Sequence, residues 1–121
     1  CITKFGKKDP LWALLDWELG IFKPAETKLI AGGCNIGGLL ICILHDGLVL
    51  GCRRVPFPIG KVPEQKLIEI FIQSEKLNEM RQIRGMQKCR ECSLLNYCRG
   101  CRAVAYGYCG DFFASDPQCW L

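Results

Sequence analysis

Seven cysteines of this chain fall at spacings that gather thiolates around one or two common points. Cys89, Cys92, Cys98 and Cys101 read C-x2-C-x5-C-x2-C, and Cys119 follows in Asp116-Pro117-Gln118-Cys119. Upstream, Cys34 and Cys52 flank Gly47 in the pattern C-x12-G-x4-C. Thiolates grouped this way bind a metal ion or a metal–sulfur cluster. The chain carries ten cysteines in 121 residues, a density typical of disulfide and metal scaffolds.

Three chemistries compete for these thiols. Disulfides need an oxidising compartment, and close C-x2-C pairs would be redox-active or strained. The start, Cys1-Ile2-Thr3-Lys4-Phe5-Gly6-Lys7-Lys8, has no apolar signal core, so a reducing cytoplasmic setting is expected. Zinc sites built from C-x2-C pairs usually take a spacer longer than the one here, because each pair donates from its own turn. An iron–sulfur cubane takes a tight cysteine run plus a distant fourth cysteine. Cys89, Cys92 and Cys98 with remote Cys119 follow that habit. Cys101 then points elsewhere, toward Cys34 and Cys52. Two clusters on adjacent faces account for all seven, with zinc as the alternative.

Several elements must position these thiols. Residues 10–20 suit a short helix, with apolar side chains at Leu11, Leu14, Leu15 and Leu19 and a stop at Gly20. Asp9 before Pro10 reads as its N-cap, and Trp12 and Trp17 as packing anchors. Residues 31–38 form a glycine-rich loop around Cys34. It lacks the Lys-Ser/Thr of a phosphate loop, so the glycines mark a close backbone approach to something bulky. Leu39 to Leu44 and Leu48 to Cys52, joined by His45-Asp46-Gly47, read as a hairpin with a type I′ turn. The hairpin returns Cys52 toward Cys34 and leaves His45, the only histidine, exposed at the tip. Residues 53–60 read as a proline-punctuated linker. Residues 64–84 read as one long helix burying Leu67, Ile70, Phe71, Leu77, Met80 and Ile83, stopped by Gly85. Short turns then wrap the cysteines from Lys88 onward. The fold class is α+β: a small irregular domain with a β-hairpin, one long helix and a cysteine-rich half wrapped around two iron–sulfur clusters.

Composition excludes other classes. The hydrophobic fraction of 50% supports a folded core. The net charge of +4 is spread among acids, as in Lys61, Glu64, Lys66, Glu69, Glu75, Lys76, Glu79 and Arg81. That pattern is a solvated helix face and not the basic stripe of a nucleic-acid binder. The longest apolar stretch, Gly37 to Leu44, falls short of the ~20 residues that span a bilayer. Neither a nucleic-acid nor a membrane partner is expected. With no initiator methionine, the chain reads as a piece of a longer protein.

The constellation C-x12-G-x4-C, C-x2-C-x5-C-x2-C and a final C resembles the seven-cysteine signature of the SPASM domain, the C-terminal auxiliary-cluster domain of many radical S-adenosylmethionine enzymes. Gly100-Cys101-Arg102-Ala103-Val104-Ala105-Tyr106, Gly110-Asp111 and Asp116-Pro117-Gln118-Cys119 add to the match. Many members have C-x3-C where this chain has C-x2-C at Cys98 and Cys101. The shorter form resembles members that modify tetrapyrroles or mature peptides. The resemblance covers residues 31–121, with residues 1–30 as an N-terminal linker or helical segment. It implies two 4Fe–4S clusters, one on Cys34, Cys52 and Cys101, the other on Cys89, Cys92, Cys98 and Cys119. The usual fourth ligand of the first lies before Cys34, where residues 26–31 hold no cysteine. Cys42, a noncysteine group or an open iron could complete the set. Cys109 matches no ligand and reads as structural, and Cys1 falls outside the domain.

Arg90, Arg99 and Arg102 sit beside the ligands and would offset cluster charge, while Gly100 turns the chain between ligands of different clusters. Arg102 and Gly100 are thus the expected cofactor-contacting residues. Radical S-adenosylmethionine enzymes bind their reductive-cleavage cluster with C-x3-C-x2-C on a barrel loop, and no cysteine triple here has that spacing. The resemblance therefore implies a partner barrel in the same polypeptide, S-adenosylmethionine bound only by that parent enzyme, and no cleavage by this chain alone. It also implies electron transfer and positioning of a peptide, protein or tetrapyrrole substrate. The rival readings are a zinc-stabilised interaction module and a free-standing ferredoxin-like carrier.

Overall fold

The computed structural model describes residues 6–26 and 29–121; Cys1 lies outside the described residues. Helix α1 spans Trp12–Glu18. The Asp9 carboxylate accepts the Leu11 N–H at 2.9 Å just ahead of it, and Gly20 ends it with φ +67°. Its buried residue, Leu14, packs on Leu94 and Cys98 in a small core flanked by Leu11, Phe22, Cys92 and Cys119. The helix thus covers part of the cysteine-rich half. Trp12 and Trp17 remain exposed, so the packing role expected of them falls to Leu14.

The larger core holds Ile36, Val49, Val55, Ile59, Ile70, Leu77, Met80 and Phe112. It sits under a three-stranded antiparallel sheet of β1 (Cys42–Ile43), β2 (Leu48–Leu50) and β3 (Pro58–Lys61), in that order. The predicted hairpin is β1–β2, with Cys42 opposite Leu50 and Ile43 opposite Val49. Its turn differs from the expected type I′. The Gly47 N–H donates to the Leu44 carbonyl at 3.0 Å, and Gly47 has φ +84° while Asp46 keeps a negative φ. The Asp46 carboxylate accepts the Leu48 N–H at 3.1 Å. This is the longer hairpin loop in which only the glycine is left-handed.

Two further expectations are corrected. Part of the linker proposed for residues 53–60 is the edge strand β3, paired through Val49–Gly60 and Leu50–Pro58 with an irregularity between them. A proline lacks a donor but is tolerated at the start of an edge strand, and Ile59 is buried there. The single helix expected over 64–84 is two, α2 (Leu67–Gln73) and α3 (Glu75–Met80), followed by a 3₁₀ turn at Ile83–Gly85. Ser74 leaves helical geometry at ψ 113° and its hydroxyl accepts the Leu77 N–H at 3.4 Å. Serine competes with the helix interior in this way and favours N-caps. The carbonyls freed at the end of α2 are taken up by side chains of the next turn. Asn78 Nδ2 donates to the Ile72 carbonyl at 3.2 Å and Arg81 Nη2 to the Phe71 carbonyl at 2.6 Å. Arg81 Nε also donates to the Gly37 carbonyl at 2.6 Å, tying the glycine-rich loop to α3. Met80 is buried, as expected, and Met86 is buried with it.

A 3₁₀ turn at Lys88–Glu91 and helix α4 (Arg102–Cys109) complete the chain. The Trp120 indole N–H donates to Glu18 Oε1 at 2.6 Å, bringing the C-terminal segment back onto α1. Among the described residues no helix is long and apolar enough to cross a membrane.

Candidate metal centres

The backbone sorts eight cysteines into two neighbouring places. Cys89, Cys92, Cys98 and Cys119 line a small enclosed cavity together with Leu14, Leu94, Leu95, Arg99, Gly100, Asp116 and Leu121. Cys34, Cys42, Cys52 and Cys101 line a broader cleft of about 560 Å³, rimmed by Lys8, Arg53 and Arg54. The ninth described cysteine, Cys109, is exposed at the end of α4, where its thiol donates to the Ala105 carbonyl at 3.4 Å. It borders neither place.

Local structure builds the enclosed site. Cys89 sits in the 3₁₀ turn, and the Cys92 N–H donates to its carbonyl at 3.1 Å. A turn of this tightness brings residues three apart onto one side. The Cys98 N–H donates to the Leu94 carbonyl at 2.9 Å, so a second turn presents Cys98 beside the first pair. Two backbone donors reach the sulfurs: Leu94 N–H to Cys92 Sγ and Gly100 N–H to Cys98 Sγ, both at 3.4 Å. Donors aimed at sulfur favour the thiolate that ligation requires and tune a cluster's potential.

Burial acts in the opposite sense on the metal-free thiols. Desolvation pushes Cys98 up to about 11, against the Gly100 N–H, and Cys119, Cys89 and Cys92 add to the rise. Cys89 is raised for the same reason, first by desolvation and then by Cys119 and Cys92. Thiolates gathered in an apolar enclosure are poorly stabilised unless a cation joins them. The enclosed space is about 20 Å³, on the order of one water, so a cluster seated there must spread the sulfurs.

The run Cys98-Arg99-Gly100-Cys101 joins the two places. Arg99 and Gly100 are both left-handed, with φ +64° and +59°. Two such residues in succession turn the chain so that Cys98 faces the enclosed cavity and Cys101 the cleft. A Cβ on Gly100 would lie 2.5 Å from Asp116 Cβ, so glycine is required there twice over. The glycine-rich loop approaches from the other side. The Cys34 N–H donates to the Cys98 carbonyl at 3.3 Å, and a Cβ on Gly33 would sit 2.1 Å from that same oxygen. The bulky neighbour that this loop must pass is therefore the Cys98 backbone.

Arg99 is buried between the sites. It donates to the Cys34 carbonyl at 2.8 Å, to the Leu95 carbonyl at 2.9 Å and to the Gly32 carbonyl. Its Nε has no partner among the described residues. Desolvation lowers its pKa, opposed by Cys34, Cys98 and Cys89. A buried guanidinium with a spare donor is costly alone and suits a place where thiolate charge collects. Arg102 is also buried, but it faces the larger core. It donates to the Met80 carbonyl and to Met86 Sδ at 3.5 Å, with the Phe112 and Phe113 rings 5.1 and 5.6 Å from its guanidinium carbon. Desolvation lowers its pKa as well, with Cys34 acting against that. Arg90 pairs with Glu91 at 3.3 Å on the surface. His45 is exposed at the hairpin tip, as expected.

Sequence reasoning missed two contributors. Asp116, noted only as part of the motif before Cys119, accepts the Cys101 N–H with Oδ2 at 2.7 Å and the Gln118 N–H with Oδ1 at 2.9 Å. Leu14 closes the enclosed cavity from the N-terminal linker or helical segment, which was expected to lie outside the cluster domain. Its helical periodicity was legible; its partner was not.

The donor set fits an iron–sulfur cluster. Sulfurs on one zinc ion at ~2.3 Å must crowd together, and among the described residues no three His, Cys, Asp or Glu side chains converge as a single-ion site. A cubane takes one protein ligand on each of four irons, and four cysteines line each place.

The iron–sulfur cluster-binding domain SPASM matches residues 34–102. Two curated relatives carry the name AdoMet-dependent heme synthase. The one from Methanosarcina barkeri is 35% identical over 91 residues, covering 72% of this chain and 25% of the relative. The one from Nitratidesulfovibrio vulgaris is 36% identical over 89 residues, covering 72% of this chain and 24% of the relative. The chain spans about a quarter of the length of these relatives. With cysteines of both sites inside the matched span, the chain belongs to the SPASM family of iron–sulfur cluster-binding domains.

Proposed function

We propose that this chain is the auxiliary-cluster part of a radical S-adenosylmethionine enzyme and holds two 4Fe–4S clusters. Cys89, Cys92, Cys98 and Cys119 would bind one, and Cys34, Cys52 and Cys101 would bind the other. The observation that carries this reading is the division of the thiols between two places joined by Cys98-Arg99-Gly100-Cys101. When bound, such clusters supply one-electron transfer at potentials set by charge, sulfur hydrogen bonds and exposure.

The chain's own residues set those conditions. The Leu94 and Gly100 N–H groups point at Cys92 and Cys98 sulfur. Buried Arg99 supplies positive charge between the sites, and Arg102 does so from the core side. Leu14 excludes water from the enclosed set. The cleft is more open and carries a cationic rim of Lys8, Arg53 and Arg54 against a single acid, Asp9. Arg53, Arg54 and Lys8 would receive the carboxylates of an anionic substrate. The relatives' name favours a tetrapyrrole over a peptide or protein, and S-adenosylmethionine would be bound elsewhere in the parent enzyme. Residues 31–121 would form the cluster domain, with residues 1–30 leading into it.

The test is metal content without oxygen. The chain should be brown and hold about eight iron and eight acid-labile sulfide. Stoichiometric zinc without sulfide would instead establish the zinc-stabilised module.

A further inference from the structure

We propose that Cys42 is the fourth thiolate of the cleft site, so that this site is closed by four cysteines and presents no open iron to substrate. The proposal rests on the cluster reading above. Three thiols, Cys34, Cys52 and Cys101, leave one iron of a cubane without a protein sulfur. Cys42 borders the same cleft.

The strand register explains why. Cys42 lies opposite Leu50, and Cys52 follows two residues beyond Leu50. The register fixes Cys42 beside the end of β2. The chain bends directly after that strand at Gly51-Cys52, and both thiols line the same cleft. The competing reading makes Cys42 a buried strand hydrophobe. It is only half-buried and belongs to neither core among the described residues.

The cleft's other side chains serve worse as a fourth ligand. The Asp9 carboxylate is engaged by the Leu11 N–H. Asn35 offers a neutral amide, a weak ligand beside thiolates for a soft iron–sulfur site. Lys8, Arg53 and Arg54 are cations. Cys109 shows what an uninvolved cysteine looks like here: exposed, bonded within its own helix and bordering no thiol set. With the irons closed, substrate at the cleft would be held by side chains alone.

Iron and sulfide analysis with electron paramagnetic resonance tests this on the chain prepared without oxygen. The unaltered chain should hold about eight iron. Cys42→Ala should lose about one iron and show an oxidised three-iron signal, or fall to about four iron if the whole site is lost. Cys109→Ala should keep about eight. Cyanide, a small ligand for open iron, should leave the reduced spectrum of the unaltered chain unchanged. A Cys42→Ala chain with full iron and an unchanged spectrum overturns the assignment, and so does a cyanide-shifted spectrum of the unaltered chain. The cyanide result decides the matter if Cys42→Ala does not fold. An unaltered chain without sulfide-bearing iron overturns the cluster reading and this assignment together, whereas full iron indifferent to Cys42 overturns this one alone.

Discussion

The buried carboxylate of Asp116 accepts the Cys101 N–H at 2.7 Å, while its own backbone carbonyl accepts the Cys119 N–H at 3.0 Å. One residue therefore fixes a thiol of each site. Asp116→Ala removes the acceptor for both Cys101 and Gln118. Charge-assisted bonds to a buried group contribute about 1.5–3 kcal/mol each, so we expect a loss of at least ~2 kcal/mol and lower iron at both sites. Denaturant midpoints and iron content measure this. Unchanged iron with a normal midpoint would contradict it.

Gly33→Ala should be far more damaging than Gly20→Ala. Both positions have positive φ, but a Cβ at Gly33 meets the Cys98 carbonyl at 2.1 Å and one at Gly20 meets nothing within 4 Å. Gly20→Ala should cost about 1 kcal/mol from backbone strain. Gly33→Ala should shift the loop carrying Cys34 and deplete the cleft site of iron. Equal midpoints for the two variants would refute the close approach.

The two sites should be separable by mutation. Cys98→Ser and Cys119→Ser should each remove about four iron from the enclosed site and destabilise the C-terminal half, because metal binding is coupled to folding. Cys52→Ser should act on the cleft site instead. Cys109→Ser should change nothing. Loss of a whole cluster in Cys109→Ser, with Cys119→Ser intact, would invert the assignment.

Leu14→Ala should open the enclosed site to solvent. Truncating a buried leucine costs about 2–5 kcal/mol, and Leu14 lies against Leu94 and Cys98. The enclosed site of this variant should bleach faster in air than that of the unaltered chain, followed by absorbance. Equal bleaching rates would mean that α1 does not shield it.

The chain has no C-x3-C-x2-C triple. With dithionite and S-adenosylmethionine it should form no 5′-deoxyadenosine, while its clusters remain reducible at low potential. Formation of that product by these 121 residues would place the cleavage cluster here.

The sequence by itself determined the chemistry. Spacing near the C-terminus placed Cys89, Cys92 and Cys98 in successive turns, and Asp46-Gly47 announced the hairpin that returns Cys52. These are local matters of turn length and φ, carried by a few adjacent residues. Ser74 was a legible helix breaker in principle, but the apolar stripe through Ile70, Leu77 and Met80 runs unbroken across it and masked the break. Strand β3 was hidden because prolines outweighed Phe57 and Ile59 when pairing with β2 was unseen. Spacing and resemblance already suggested a division of seven thiols; only the tertiary structure shows how each place is built and that Cys42 borders the second. The left-handed pair Arg99-Gly100 separates Cys98 from Cys101, the β1–β2 register carries Cys42 to the cleft, and α1 brings Leu14 over the other set. Each depends on contacts between segments far apart in the chain, and spacing along a sequence carries no information about which distant backbone will close a cavity.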